Sequence, residues 1–334
     1  MPVRAAVYDL GSSSFQLLVC DVHDDGELQP VARSRAALDL GASVGALGVV
    51  PPERAAAARR AARRLAARAL ALQPDVTTAV ATAALRDAAN GAAVAAELAE
   101  VIGVAVRLVD GPEEARLCFV GQLAAVWTPD EPAAGVDLGG GSMELAVGIG
   151  HRLLAADSVP VGATRLRGEL GELDVLGAAA RHAVAGRVRS AVHGWPGVLD
   201  RFGVDRARLV ASGGTVRALA RLATARAHPG GASRVSVNQV ELPAGQVAEL
   251  ADMLGELGYA QRLALRGMPS RRARSIAYGA AALHALVDTL GVGRIVVSEW
   301  GLREGAILDA ARQQHDMTAS QQRGNVVSDV AAPG

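Results

Sequence analysis

The chain has 334 residues and a formal net charge of zero; half of its residues are hydrophobic, but only 3% are aromatic. At roughly 150 residues per domain, this length predicts two domains, each large enough to bury a core. All 34 basic residues are arginines, which excludes Schiff-base chemistry and a Walker-type P-loop because both need a lysine amine. The charge balance lacks the basic excess of a general nucleic-acid binder, so we expect no nucleic-acid partner.

The N-terminus and the cysteines indicate a cytoplasmic protein. Residues 1–10 carry Arg4 and Asp9 without an apolar core, so we expect no signal peptide. No stretch reaches about 18 uninterrupted apolar residues, so we expect no membrane span and no membrane partner. Cys20 and Cys118 are far apart and show no metal-ligand spacing, which is typical of buried thiols in a reducing compartment.

Strand and helix patterns alternate from the start of the chain. An apolar segment over 5–9 enters a polar turn at 11–14 and returns over 15–22, which predicts a hairpin. Residues 51–72 are rich in Ala, Arg and Leu behind two prolines, which predicts a helix whose arginines form a solvated face, with polyanion binding as the alternative. The next predicted elements are a strand over 78–81, a helix ending at Glu100, a strand over 104–109 and a helix from Glu113. This alternation predicts layered α/β domains.

A strand that ends in Asp-Leu-Gly, followed by serine and a returning strand, occurs twice. The first copy begins at Asp9 and the second at Asp137, 128 residues later. A polar, proline-containing stretch over 127–134 separates the two copies. We therefore predict two structurally repeated domains, residues 1–128 and residues 129–310, followed by a disordered tail over 311–334.

Three glycine-rich segments are candidate phosphate loops. Glycine after a buried strand lets backbone amides approach an anion, and successive amides in such a turn form a concave nest for phosphate oxygens. The third segment also opens a predicted helix, whose dipole favours an anion at that end. Ordinary hairpin turns are the alternative interpretation for either hairpin loop alone. The predicted phosphate-binding residues are Gly11, Ser12 and Ser13; Gly139, Gly140, Gly141 and Ser142; and Ser212, Gly213, Gly214 and Thr215.

The aspartates beside these loops indicate a metal ion. A carboxylate repels phosphate unless a cation lies between them or the carboxylate orders a water. Asp9 and Asp137 are therefore candidate ligands of Mg²⁺, acting partly through water because Mg²⁺ keeps much of its hydration shell.

Three phosphate-type loops on a duplicated α/β scaffold resemble the Ppx/GppA phosphatases, which comprise exopolyphosphatases and guanosine pentaphosphate phosphohydrolases. The resemblance spans residues 3–310. It implies two ribonuclease H-like domains of the actin/hexokinase/Hsp70-like superfamily with an interdomain cleft. The segments that carry it are DLGSSSF (9–15), ATAALR (81–86), GPEEARL (111–117), DLGGGSME (137–144), SGGT (212–215) and SEWGLREG (298–305).

The resemblance implies roles for single residues. Glu114 matches the family's catalytic glutamate, which orients or deprotonates the attacking water. Asp137 and Glu144 are implied as further catalytic and metal-side residues, with Asp9 as a metal ligand and Mg²⁺, or Mn²⁺ in its place, as the cofactor. Arg86 matches a phosphate-contacting arginine. The alternatives are a dipole-complementing role for Glu114, an exposed strand carboxylate for Glu144 and a surface salt bridge for Arg86.

The implied reaction is hydrolysis of a terminal phosphoanhydride of inorganic polyphosphate or of guanosine pentaphosphate. Two alternatives are a non-catalytic sensor of polyphosphate or of an alarmone, and an ATP-dependent kinase of the same superfamily. Family analogy also suggests a homodimer. Long family members carry a further helical domain, so this chain resembles the short, two-domain form.

Several positions depart from the family pattern. Ser13 stands where the family usually has asparagine, and Gln16 stands where it has a basic residue. Asp39 stands where the family tends to have a basic or neutral residue. In the segment over 270–275, arginines that include Arg274 replace an acidic residue. These departures concern substrate preference more than fold.

Overall fold

Two mixed sheets with the same central topology organise the chain. The computed structural model describes residues 2–126, 131–150, 152–228 and 236–314. In the first sheet, three antiparallel strands continue into two parallel ones, in the order β3-β2-β1-β4-β5. Its strands are β1 (Val3–Leu10), β2 (Ser14–Val22), β3 (Leu28–Ala37), β4 (Val76–Ala81) and β5 (Val106–Leu108).

One face of the first sheet is covered by four helices. The longest of them starts with proline in its first turn, as predicted, and buries five of its nine alanines while most of its arginines face outward. The small side chains let this helix pack closely, which suits a core with few aromatic rings. The four helices are α1 (Leu40–Leu47), α2 (Pro52–Leu70), α3 (Ala83–Asp87) and α4 (Gly91–Ile102).

The second sheet repeats this plan and adds an antiparallel edge strand, in the order β10-β11-β9-β6-β7-β8. The predicted hairpin after Asp137 is confirmed as β6 and β7. The strands are β6 (Ala133–Leu138), β7 (Met143–Ile149), β8 (Arg152–Val159), β9 (Leu209–Ser212), β10 (Glu241–Pro243) and β11 (Arg294–Val297).

In the described residues, seven α-helices and a short 3₁₀ helix, Ser270–Arg272, accompany the second sheet, and all of them except the 3₁₀ helix and the helix Tyr259–Ala264 contribute to its large core. Within the described ranges, no helix combines the length and the apolar character that crossing a bilayer requires. The helices are α6 (Ala163–Leu170), α7 (Ala178–Ala191), α8 (Trp195–Arg201), α9 (Gly214–Ala227), α10 (Ala244–Glu256), α11 (Tyr259–Ala264) and α12 (Ile276–Leu290).

Two helices lie between the sheets and join them. Helix α5 (Gly111–Ala125) packs on strands of the second sheet, and it shares a core cluster with the first sheet and with the last helix, α13, over 302–314. Glycines let α5 and the start of α13 touch, because a Cβ at Gly121 would lie 2.1 Å from the carbonyl oxygen of Gly301. This packing places the N-terminus of α5 at the junction of the two halves.

The α/β class with two related halves is confirmed. The domain limits at 128 and 310 stay a prediction, and residues 127–130 lie outside the described residues. Helix α13 continues through residue 314 and so includes the first four residues of the predicted tail. The rest of that tail, 315–334, lies outside the described residues.

Candidate active site

The two Asp-Leu-Gly turns adopt the same conformation, and the two loops face each other across the cleft. The Gly11 amide donates to the Ser14 carbonyl at 3.2 Å, and the Gly139 amide donates to the Ser142 carbonyl at 3.0 Å. A Cβ at Gly141 would lie 2.8 Å from the Ser12 hydroxyl, so the loops of the two halves are in close contact. The sequence repeat is therefore a structural repeat whose copies meet at one cleft.

The cleft between these loops holds a cavity of about 120 Å³. Most of the residues predicted to carry the chemistry line it. They are Asp9, Gly11, Ser12, Ser13, Glu114, Asp137, Gly139, Gly140, Gly141, Ser142, Glu144, Gly213 and Gly214.

The third loop needs glycine for a steric reason. Gly213 has a φ of 102°, and a Cβ there would lie 2.4 Å from the Leu138 carbonyl oxygen. The next residue, Gly214, begins α9, so the first amides of this 14-residue helix point toward the cleft. Such unpaired amides, together with the helix dipole, favour an anion at this position.

The two aspartates occupy equivalent strand ends and have polar partners. Asp9 pairs with Gln16 across the first hairpin, and its carboxylate accepts a hydrogen bond from Gln16 Nε2 at 3.1 Å. Asp137 pairs with Glu144 across the second hairpin and accepts a hydrogen bond from the Ser212 hydroxyl. Burial raises the pKa of Asp9 to about 6, opposed by the positive charge of Arg303. Burial also raises the pKa of Asp137, opposed by the Ser212 hydrogen bond.

Glu114 lies in the first turn of α5 and is 5% exposed. The Asp110 side chain caps this helix by accepting from the Glu113 amide at 2.9 Å. Burial raises the pKa of Glu114 to about 7, although Arg86, which donates to it at 2.6 Å, acts in the opposite direction. Glu113 instead pairs with Arg116 at 2.6 Å. The two adjacent glutamates therefore have different environments, and only Glu114 lines the cleft.

Glu144 is buried, not an exposed strand carboxylate. It is 3% exposed, and the Ser158 hydroxyl donates to its Oε1 at 2.8 Å. Burial raises its pKa well above the ordinary value, and the negative charges of Glu114 and Asp137 add to this effect. The cleft thus concentrates carboxylates whose charges repel one another.

These carboxylates fit a hard divalent cation. Within the described chain, no arginine forms a salt bridge with Asp9, Asp137 or Glu144, although the positive charge of Arg303 opposes the rise in pKa of both aspartates. Mg²⁺ and Mn²⁺ prefer oxygen ligands. Asp137 and Glu144 have ligand oxygens within 4.8 Å of each other, whereas Asp9 is not part of this group. The Cys118 sulfur lies within 4.8 Å of ligand oxygens of Asp137 and Glu144, but burial raises the pKa of this thiol. A protonated thiol is a poor ligand for Mg²⁺.

Three arginines also form part of the wall of the cleft. Arg217, Arg272 and Arg303 line the cavity, and Arg303 donates to Gln16 at 3.1 Å. The Arg272 guanidinium covers the start of α9, since a Cβ at Gly214 would lie 1.8 Å from its Nη2. Burial and neighbouring arginines lower the pKa of Arg272 to about 9. An anion between these side chains would relieve their mutual repulsion.

Sequence analysis assigned no role to these three arginines. Arg303 stands in the SEWGLREG segment, Arg217 follows SGGT, and Arg272 precedes the departure at Arg274. Their positions in known motifs were therefore an available signal. The sequence could not show that these three arginines meet at the cleft, because their meeting depends on how α9, the 3₁₀ helix and α13 pack.

Three of the predicted phosphate-binding side chains do not line the cavity. Ser212 is fully buried and donates to Asp137, and Thr215 is fully buried beside Gly279. Their hydroxyls lie behind the loop, so direct phosphate contact by these two is not supported. Arg86 is occupied by Glu114 and by the Val109 carbonyl, to which it donates at 3.2 Å. We describe Arg86 as the partner of Glu114, and its contact with phosphate stays a prediction.

Two repeated sheets with facing glycine-rich loops and a cleft lined by carboxylates define a two-domain protein of the actin/hexokinase-like class. The sequence profile of the Ppx/GppA phosphatase family matches residues 19–314, and the chain belongs to this family. It is 30% identical over 334 residues to exopolyphosphatase 1 of Mycobacterium tuberculosis, covering 99% of this chain and 95% of that protein.

Two further comparisons agree with this assignment. The chain is 31% identical to exopolyphosphatase 2 of Mycobacterium tuberculosis over 324 residues, which cover 92% of this chain and 98% of the relative. The crystal structure of an exopolyphosphatase from Cytophaga hutchinsonii has the same fold, with a TM-score of 0.81 and 22% identity over 92% of this chain and 98% of that one.

Proposed function

We propose that this protein hydrolyses the terminal phosphoanhydride bond of inorganic polyphosphate in an Mg²⁺-dependent reaction with water. The observation that carries the proposal is the position of Glu114: a buried carboxylate at the cleft, paired with Arg86, beside loops suited to phosphate. The relatives named as exopolyphosphatases support the choice of substrate.

Glu114 is proposed to accept the proton of the attacking water. A general base is most effective when its pKa lies near the working pH, and burial raises the pKa of Glu114 to about 7. The water oxygen bonds to the terminal phosphorus while the bridging P–O bond breaks. The products are orthophosphate and a chain one phosphate shorter. Arg86 fixes the carboxylate through its 2.6 Å hydrogen bond.

The terminal phosphoryl group is proposed to bind between the three loops and the three arginines of the cleft wall. The loops over 11–13 and 139–142 and the start of α9 offer backbone amides, and the serines add hydroxyl donors. Arg217, Arg272 and Arg303 bring the positive charge that a polyanion needs.

Asp9, Asp137 and Glu144 are proposed to hold Mg²⁺, with Mn²⁺ as a substitute, in part through water. The bound ion would neutralise charge on the phosphate oxygens. Asp137 is oriented for this role by Ser212, whose hydroxyl in turn accepts a hydrogen bond from Gln122 Nε2 at 2.8 Å. This chain of hydrogen bonds fixes the carboxylate from behind the cleft.

Guanosine pentaphosphate is the second candidate substrate, since its 5′ end presents the same terminal phosphoanhydride. In the described part of the chain, no aromatic ring lines the cavity, so a guanine or adenine base would find no aromatic stacking partner there. This favours inorganic polyphosphate over a nucleotide as the substrate. The choice of a hydrolase over an ATP-dependent kinase or an alarmone sensor is supported by Glu114. Homodimerisation and a cytoplasmic location stay predictions.

The test is phosphate release in Mg²⁺, in Mn²⁺ and with EDTA. Inorganic polyphosphate, guanosine pentaphosphate and ATP are assayed in parallel. We expect metal-dependent release, fastest from polyphosphate and abolished by EDTA. Tight binding of polyphosphate without release from any substrate would replace the proposed hydrolase by a sensor.

A further inference from the structure

A second set of three arginines lines a pocket outside the cleft. The pocket has a volume of about 200 Å³ and lies between α6, the segment that follows it, α11 and the residues after the 3₁₀ helix. None of the residues that line it lines the cleft. Its polar lining residues are Arg167, Arg262, Arg274, Glu172, Asp174 and Tyr259.

Arg262 is the most unusual of these residues because it is 1% exposed. Its Nη2 donates to the Asp174 carbonyl at 3.0 Å, but its Nε and Nη1 have no hydrogen-bond partner in the described structure. Burial lowers the pKa of this guanidinium. Leaving two donors of a buried cation unsatisfied is costly. Both nitrogens are closed to solvent, so an acceptor in the pocket would satisfy them only after the Arg262 side chain shifts toward it.

The acidic residues of the pocket leave room for such an acceptor. The carboxylate of Asp174 is engaged, since it accepts from the Tyr259 amide at 2.7 Å. Glu172 contacts both Arg167 and Arg274, each only at 3.5 Å, and its side chain is 61% exposed. Glu172 can therefore turn outward and release both guanidinium groups. Arg167 and Arg274 would then face an acceptor in the pocket, with Arg167 still paired to Asp39 at 3.3 Å.

The pocket adjoins the cleft along two paths. Arg274 follows the cleft residue Arg272 by two positions. Arg167 pairs with Asp39 at 3.3 Å, and the amide of Asp39 donates to the carbonyl of the cleft residue Ser13 at 3.3 Å. A phosphate chain that leaves the cleft on the side of Asp39 and Arg272 would meet these arginines.

We propose that this pocket is a second phosphate-binding site, in which Arg262, Arg167 and Arg274 hold a phosphate group of a condensed phosphate. The group belongs either to the chain whose end occupies the cleft or to a separate phosphate molecule. Planar guanidinium groups suit phosphate oxygens, and Arg274 is oriented by stacking on Tyr259, with its Cζ 4.6 Å from the ring centroid. The link to hydrolysis rests on the proposed function, whereas binding to the pocket does not.

The first test compares tripolyphosphate with a long-chain polyphosphate in steady-state hydrolysis. Arg274→Gln removes an exposed side chain and should fold normally, and Glu172→Gln removes the competing carboxylate as a matched control. We expect Arg274→Gln to raise KM for the long chain about threefold to tenfold, with kcat and the KM for tripolyphosphate unchanged. Glu172→Gln should lower the long-chain KM. Unchanged KM values in both variants would overturn the proposal.

Direct binding separates this proposal from the proposed function. Calorimetry with the wild type, Arg274→Gln and Arg262→Gln uses tripolyphosphate, long-chain polyphosphate and orthophosphate, and circular dichroism checks the fold of each variant. Weaker binding of the long chain by both variants supports a pocket that holds a further phosphate of the chain whose end occupies the cleft. A second bound tripolyphosphate or orthophosphate that Arg274→Gln abolishes supports a site for a separate molecule. Identical isotherms in folded variants contradict the site even if the protein hydrolyses polyphosphate.

Discussion

Arg86 donates a hydrogen bond of 2.6 Å to the carboxylate of Glu114, and this pair connects α3 to the first turn of α5. The Arg86 side chain is 24% exposed, whereas that of Glu114 is 7% exposed, so the carboxylate is the more desolvated partner. The pair explains how a glutamate can be buried and still ionise near neutral pH. It also places Arg86 where it orients the proposed base, while the contact of Arg86 with phosphate stays a prediction.

Replacing Arg86 with glutamine should lower kcat about tenfold to a hundredfold, because the proposed base loses both its orientation and a nearby positive charge. The loss of this charge raises the pKa of Glu114 further, so the acid limb of the activity profile should move to higher pH. Stopped-time phosphate assays across pH measure both effects.

Arg116→Gln is the matched control for this substitution. Arg116 lies two residues after Glu114, but it pairs with Glu113 and with Asp309, at 2.6 and 3.1 Å. Its substitution should leave the pH profile in place. Equal effects of the two substitutions would show that Arg86 acts only on stability.

Activity should fall as the pH drops below about 7. The proposed base works in its ionised form, and its folded-state pKa is raised from 4.5 to about 7. Asp9, with a pKa raised to about 6, must also ionise to hold a cation. We therefore expect kcat/KM to decline below about pH 7 as Glu114 takes up one proton. Below about pH 6 the decline should be steeper, because Asp9 is then protonated as well. A flat profile between pH 5 and pH 8 would exclude Glu114 as the base.

Glu144→Gln should stabilise the metal-free protein at pH 8. The pKa of Glu144 is raised well above its ordinary value of 4.5, so its contribution to stability is present below pH 4.5 and is lost as the pH rises through the folded-state pKa. Glutamine keeps the oxygen that accepts from Ser158 and removes the buried charge. We expect a gain of about 1 kcal/mol, or about 2–4 °C in Tm.

Thermal unfolding with EDTA and with Mg²⁺ checks this prediction. In EDTA, the advantage of the variant should shrink as the pH falls toward 4.5, where the wild-type carboxyl group is protonated in both states. Mg²⁺ at pH 8 should raise the Tm of the wild type more than that of Glu144→Gln. A variant that is less stable than the wild type at pH 8 in EDTA would contradict the assignment of an uncompensated buried charge.

Gly213→Ala should destabilise the fold and impair phosphate binding. The substitution requires a Cβ 2.4 Å from the Leu138 carbonyl and a φ of 102° for alanine. We expect a loss of about 1–3 kcal/mol. Gly186→Ala is the control: Gly186 lies inside α7 with open space around it, and alanine there should be neutral or stabilising by up to about 1 kcal/mol. Urea denaturation compares the two, and equal effects would contradict the steric argument.

The fold and much of the cleft followed from local patterns. Asp9 and Asp137 stand in the same local motif, and a motif that ends a strand before a hairpin return was enough to predict both loops and the duplication. The Ppx/GppA resemblance then drew attention to Glu114, which composition alone would have left as a helix-start carboxylate.

The remaining features depend on tertiary packing. Arg272 and Arg303 meet only because the 3₁₀ helix and α13 converge on the cleft, and no spacing in the chain encodes that distance. Arg86 reaches Glu114 across 28 residues, and Ser212 reaches Asp137 across 75. A motif can identify such residues as polar and close to glycine, but it cannot show whether the partner is a substrate or another side chain.

Glu114 is proposed to activate the water that cleaves the phosphoanhydride bond. The most direct test is the rate of phosphate release from polyphosphate in Mg²⁺ by Glu114→Gln compared with Glu113→Gln. Glu113 is adjacent in sequence but pairs with Arg116 outside the cleft. We predict that Glu114→Gln loses a factor of about 10² or more while still binding polyphosphate, and that Glu113→Gln keeps wild-type turnover. Wild-type turnover by Glu114→Gln would contradict the role of Glu114 in activating the water.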